Sequence, residues 1–123
     1  MVDAWHIYHV ENCQYTIPVK DKFIAVVCFN PNPYGFLINS KICLYIQKRP
    51  ELLACQVKIS ADKYGFLHHD SYIDCSNILS FKGSELNGIQ KIQNNTRKEI
   101  KKVVSNTKLI APIYKKLICG ERD

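Results

Sequence analysis

The chain has 123 residues, 46% of them apolar, and carries a formal net charge of +6. Those totals fit one domain, exclude a disordered chain, and leave no run near the ~20 apolar residues that cross a bilayer. The opening Met1-Val2-Asp3-Ala4-Trp5-His6 lacks the basic-then-apolar pattern of an export signal, so a cytoplasmic protein without a membrane partner is expected.

Residues 5–10 (Trp5-His6-Ile7-Tyr8-His9-Val10) are aromatic and β-branched and read as a first strand. Residues 11–22 are mostly polar, hold Pro18, and read as a loop. Phe23 to Phe29 is a continuous apolar run, whose length and Ile/Val content favour a buried strand. The turn cluster Asn30-Pro31-Asn32-Pro33-Tyr34-Gly35 ends it. Phe36 to Ile46 reads as a second extended run, bent at Asn39-Ser40. In Leu53 to Ile59 the residues Leu53, Cys55, Val57 and Ile59 alternate with polar or small ones, which predicts a strand with one buried face. Ser60 to Gly65 is a turn or short helical loop, Phe66 to Cys75 is read as a further extended segment, and Ile78 to Phe81 is a short strand.

The last third changes period. Thr96-Arg97-Lys98-Glu99 has the form of a capping box, with Thr96 as the cap. Ile100, Val103 and Val104 follow at helical spacing, and Lys98, Lys101 and Lys102 fall on the other side. A second helix is predicted through Ile113 to Ile118, with Pro112 in its first turn and Gly120 as its stop. The expected architecture is mainly β (α+β). It is a small antiparallel barrel or bent sheet with one or two C-terminal helices, a β-rich body over 1–82 and a basic helical part over 83–119 packed on it.

Charge follows the same division. Lys82 to Ile118 holds nine Lys/Arg and two acids, a net +7, whereas the rest of the chain is close to neutral. Such asymmetry suits a polyanion or an acidic protein, although a lysine-rich helix is often just a solvated face. Six cysteines stand at 13, 28, 43, 55, 75 and 119 without CxxC spacing, several within apolar runs, and are read as buried free thiols.

His68, His69, Asp70, Ser71 and Asp74 form the densest cluster of reactive side chains. If the segment is a strand, His68 and Asp70 share a face, and a carboxylate beside an imidazole makes an acid/base pair. RNA cleavage uses such groups. A base takes the 2′-OH proton, an acid protonates the leaving oxygen, and a cation, here Lys58 or the C-terminal lysines, stabilises the phosphorane charge. The bland alternative is that these residues cap a turn after Gly65. No ligand spacing supports a metal, and no cofactor is expected; His6 and His9, at i and i+3 of one strand, face opposite sides. Tyr34 and Tyr64, each beside a turn glycine, are the exposed ring candidates for base stacking, with Tyr45, Tyr72 and Phe66 assigned mainly to the core. Lys98, Lys101 and Lys102 are the candidates for RNA phosphates.

The order of strands, then residues 66–78, then a capped helix and a second short one resembles the PemK/MazF/Kid growth-inhibitor toxins. In that family a middle strand carries an Arg-x-Asp-Gln-like element followed by Ile-Asp. The matching stretch is His68-His69-Asp70-Ser71-Tyr72-Ile73-Asp74, with Asp70 on the acidic position, and Gly88-Ile89 resembles the step before the family's helix. The resemblance implies an SH3-like barrel, a homodimer, metal-independent cleavage of single-stranded RNA, and silencing by an antitoxin, expected to be acidic. The chain departs from the pattern in three places. Asp3-Ala4-Trp5-His6-Ile7 stands for the opening Gly-Asp-Ile/Val. His68 stands where some members have a catalytic Arg. The Arg-Pro step that starts the family's second strand and helps bind the scissile phosphate is missing, since Arg49-Pro50 precedes the wrong strand. Two functions are therefore expected to compete. One is a toxin-like endoribonuclease. The other is a non-catalytic module of the same fold that contacts nucleic acid or an acidic protein through its basic helices.

Overall fold

The computed structural model describes residues 1–120. Seven strands form one antiparallel sheet: β1 (His6–Cys13), β2 (Lys20–Phe29), β3 (Pro33–Asn39), β4 (Gln56–Ile59), β5 (Ser71–Asp74), β6 (Leu79–Ser80) and β7 (Asn87–Lys91). Their order is β4-β5-β3-β2-β1-β7, with β6 also pairing β3. Among the described residues four α-helices and one 3-10 turn (Gly83–Glu85) accompany the sheet: α1 (Leu44–Gln47), α2 (Pro50–Leu53), α3 (Asn94–Asn106) and α4 (Pro112–Cys119). This is the mainly β, α+β architecture expected from the apolar patterning.

β2 is the organising strand. Ile24 through Cys28 are all buried because both faces of the sheet are covered there. Ala25 and Val27 enter the larger core, which Ile7, Phe36, Ile73, Ile100, Val104 and Ile118 share. Ile24 and Val26 point the other way, into a smaller core with Tyr8, Val10 and Phe81. Each such Ile or Val contributes about 1.5–3 kcal/mol by leaving water. A two-sided strand reads as a continuous apolar run, which is why it was visible in the sequence. Opposite it, Gly35 has no room for a side chain: a Cβ there would lie 2.5 Å from the Ala25 carbonyl oxygen.

Several expectations are corrected. The run 36–46 is not one strand; it leaves the sheet after Asn39, and Leu44 and Tyr45 sit exposed on α1. Leu53 belongs to α2, opened by Pro50 at its first position, so the alternation becomes a strand only from Gln56. Between 66 and 75 only Ser71–Asp74 is a strand, and 66–70 is loop. β7 lies inside the stretch read as helical. It was missed because it is an outer strand of the sheet, exposed and polar, and it pairs with β1 along one side only. Four cysteines are buried, but Cys43 is exposed and Cys119 half-buried.

The capping box is also corrected. α3 starts two residues before Thr96, with Gln93 in the extended cap position and no cap from its own side chain. The hydroxyl of Tyr64 takes that role. It accepts the Gln93 amide at 3.0 Å and donates to Thr96 Oγ1 at 2.7 Å. Ile100 and Val104 then seat α3 on the core, as the period predicted. α4 begins at Pro112 and stops at Gly120, which has a positive φ of 74° and whose backbone N–H donates a hydrogen bond to the Lys116 carbonyl. Among the described residues no helix is long and apolar enough to cross a membrane.

Candidate functional site

The first residues of β2, Lys20-Asp21-Lys22, precede its buried run and stand beside an irregular stretch of β1. Pairing slips between Val10 and Cys13, and Asn12 takes a left-handed φ of 51° that asparagine tolerates. The Asn12 amide donates to Asp21 Oδ1 at 2.9 Å. The other oxygen of Asp21 lies 3.6 Å from Nε2 of His9. His9 packs its ring edge-on against Phe23, with centroids 5.4 Å apart. His9 and His6 do lie on opposite sides of β1, since His6 instead meets the ring of Tyr8.

A second wall comes from the loop before β5. Tyr64, buried at 2% exposure, anchors the loop to α3, and Phe66 follows with its ring 4.7 Å from that of Phe23. The loop then presents His68 and His69, both exposed. Together these elements enclose a cleft of about 300 Å³, with His9, His68 and His69 around it and Phe23 and Phe66 as apolar lining. Lys20 and Lys22 bring positive charge to the same cleft. Lys22 donates to Asn39 Oδ1 at 2.6 Å. Burial, and then the neighbouring Lys20, hold its ammonium below the usual lysine range.

Of the residues singled out by sequence, His68 lines this cleft. Asp70 and Lys58 do not; they lie together beside it, with 3.5 Å between Asp70 Oδ2 and Lys58 Nζ. Asp70 Oδ1 accepts the Ala61 amide at 2.9 Å. That amide first, and the Lys58 ammonium second, hold the Asp70 carboxyl below the usual aspartate range. His68 and Asp70 therefore do not share a strand face, because no strand runs there. Asp70 braces the loop that carries the two histidines, and His69 Nδ1 lies 3.2 Å from the Asp70 carbonyl.

The stacking candidates change places. Tyr64 is buried and spends its hydroxyl on α3. Tyr34 is half-buried, its ring 4.9 Å from that of Tyr114. Tyr45, assigned to the core, is instead 60% exposed, with the Arg49 guanidinium 3.6 Å above its ring. Among the phosphate candidates, Lys98 and Lys102 are exposed on α3, and Lys101 is drawn inward to 5.8 Å from the Trp5 ring. None of the three lines the histidine cleft. Sequence reasoning missed Lys20, Lys22 and His9. Two lysines just before the longest apolar run, Phe23 to Phe29, were the available signal.

The fold defines a class. A seven-stranded antiparallel sheet with the helices of the C-terminal part on one core is a MazF-like toxin fold. The structure is similar to that of Mycobacterium tuberculosis toxin MazF-mt6, with a TM-score of 0.59 and 14% identity over 80% of this chain and 92% of that one. No family model matches the sequence, nor does any curated protein. At that identity the likeness speaks for the fold, and the chemistry rests on the side chains described above.

Proposed function

We propose that this protein is a toxin-like endoribonuclease that cleaves single-stranded RNA in the cytoplasm without a metal cofactor. The observation that carries this reading is the convergence of three histidines and two lysines in one cleft of a MazF-like fold. His68 takes the proton of the attacking 2′-OH. As the 2′-oxygen bonds to phosphorus, the bond to the 5′-oxygen breaks and that oxygen takes a proton from a second imidazole. His9, oriented by Asp21, is placed for that second role. Lys22 faces the charge that builds on the phosphorane. It stands at the start of the second strand, where the resemblance leads one to expect an Arg-Pro step. Asp70 and Lys58 act on His68 through the loop, as positioning residues.

The test is incubation of purified protein with a long single-stranded RNA in EDTA. Discrete fragments are expected from wild type, with the rate falling about 10²–10⁴-fold in His68→Ala. Asp70→Ala is expected to lose less. Intact RNA from wild type would sink the enzymatic reading. The exposed Lys98 and Lys102 then favour the non-catalytic module, which binds RNA or an acidic protein and cuts nothing. The resemblance further implies a homodimer and an acidic antitoxin partner. Light scattering of the purified protein, and co-purification with the product of an adjacent short acidic gene, test these two points.

A further inference from the structure

Among the hollows that the described residues form on the surface, charge separates three from one another. The largest, about 690 Å³ between α2 and the end of α3, has Glu51 and Glu99 opposing Lys102 and Lys108. A smaller one, about 240 Å³, sets Glu99 against Lys58 and Lys63. The third, about 230 Å³, has Lys20, Lys22 and Lys41 on its walls and no carboxylate. His9–Asp21 and Lys58–Asp70 are ion pairs, and neither uses these three lysines.

This third hollow is not separate from the histidine cleft. Lys20, Lys22 and Ser40 line both, so the two abut across the start of β2 and the end of β3. Ser40 at the junction and Asn39 in the third hollow add neutral hydrogen-bonding groups. Asp21 lines only the adjoining cleft, where its oxygens face His9 and the Asn12 amide. The three cations therefore share this wall without an acid on it and repel one another, and an anion seated among them removes that repulsion. A polynucleotide supplies such anions at regular spacing.

We propose that Lys41, with Lys20, Lys22, Asn39 and Ser40, forms a second phosphate site, which holds the RNA chain next to the phosphate that reacts in the histidine cleft. The inference rests on the RNA reading above and adds to it a path for the strand, from His68 across Lys22 to Lys41. Lys22 serves both sites. Lys41 serves only the second, so it binds without taking part in the chemistry.

The experiment uses a fluorescent, uncleavable 2′-O-methyl RNA of about twelve nucleotides and follows binding by anisotropy over a series of salt concentrations. Loss of one phosphate contact on a single strand lowers the slope of log K against log salt by about 0.7. Lys41→Ala is expected to show that drop and Lys41→Arg to restore it, while Lys108→Ala keeps the wild-type slope. In the cleavage assay Lys41→Ala is expected to raise KM with kcat within about twofold. A wild-type slope and KM in Lys41→Ala overturn the second site while leaving the enzymatic reading in place. Binding with a Lys41-dependent slope, but no cleavage, keeps the site and removes the chemistry. No binding by wild type overturns both.

Discussion

Two regions of this molecule are basic, and they are basic in different ways. Along α3 and α4 the lysines are close in sequence but spread around the helices. Lys98 and Lys102 project outward, Lys101 lies over Trp5, and Glu99 sits among them. At the start of β2 two lysines flank a single aspartate, inside a body whose net charge is near zero. There Lys20 and Lys22 meet Lys41 from the segment after β3 and His68 and His69 from the loop before β5. A charge run along the chain measures how polar a segment is. Strand pairing decides which charges converge on one point, and convergence is what a phosphate detects.

The sharpest way to break the comparison is to neutralise each region in turn. Lys22→Ala is expected to slow RNA cleavage by about 10²–10³-fold, the size seen when one group facing a developing oxyanion is removed. Equal loss on neutralising α3 would reverse the assignment. The next effect is on folding and concerns the atom that joins the two regions. Tyr64→Phe leaves the Gln93 amide and Thr96 hydroxyl without their partner. It is expected to lower stability by about 1–3 kcal/mol in urea unfolding.

A smaller effect is expected from Asp70. Its folded carboxyl titrates below the usual range, so its contribution to stability is present above that range and is lost as pH falls through the folded value. Asp70→Asn should therefore unfold at lower urea than wild type at pH 7, and at about the same urea near pH 2. The smallest effect is expected from Lys98→Ala combined with Lys102→Ala. Turnover at saturating RNA should stay within about twofold, because neither side chain lines the cleft. A large drop in kcat would place α3 in the catalytic site.

What the sequence made legible follows from how local each signal is. β2 announced itself because both of its faces are buried, and α4 because Pro112 and Gly120 punctuate it. The segment after Asn39 misled because Ile42, Leu44 and Ile46 are apolar at a spacing that a strand can share with an exposed short helix. β7 carried too little apolar signal to be seen, since its neighbour β1 supplies the pairing. Of the cleft, His68 was legible as a reactive side chain but not its surroundings. Lys22 meets Asn39 from 17 residues away, and Tyr64 caps α3 from 29 residues before the capped amide. Contacts of that reach are set by topology, and no window of sequence contains them.

The Tyr64 hydroxyl has one more consequence, for hydrogen exchange. The Gln93 amide is held by a side chain of the loop that carries His68, and the Gln93 side chain donates to the Lys63 carbonyl of that same loop. Its deuterium uptake therefore reports on a segment remote in sequence. When the histidine loop lifts, the Gln93 amide loses its protection. The opening free energy read at this one proton becomes that of the wall of the cleft.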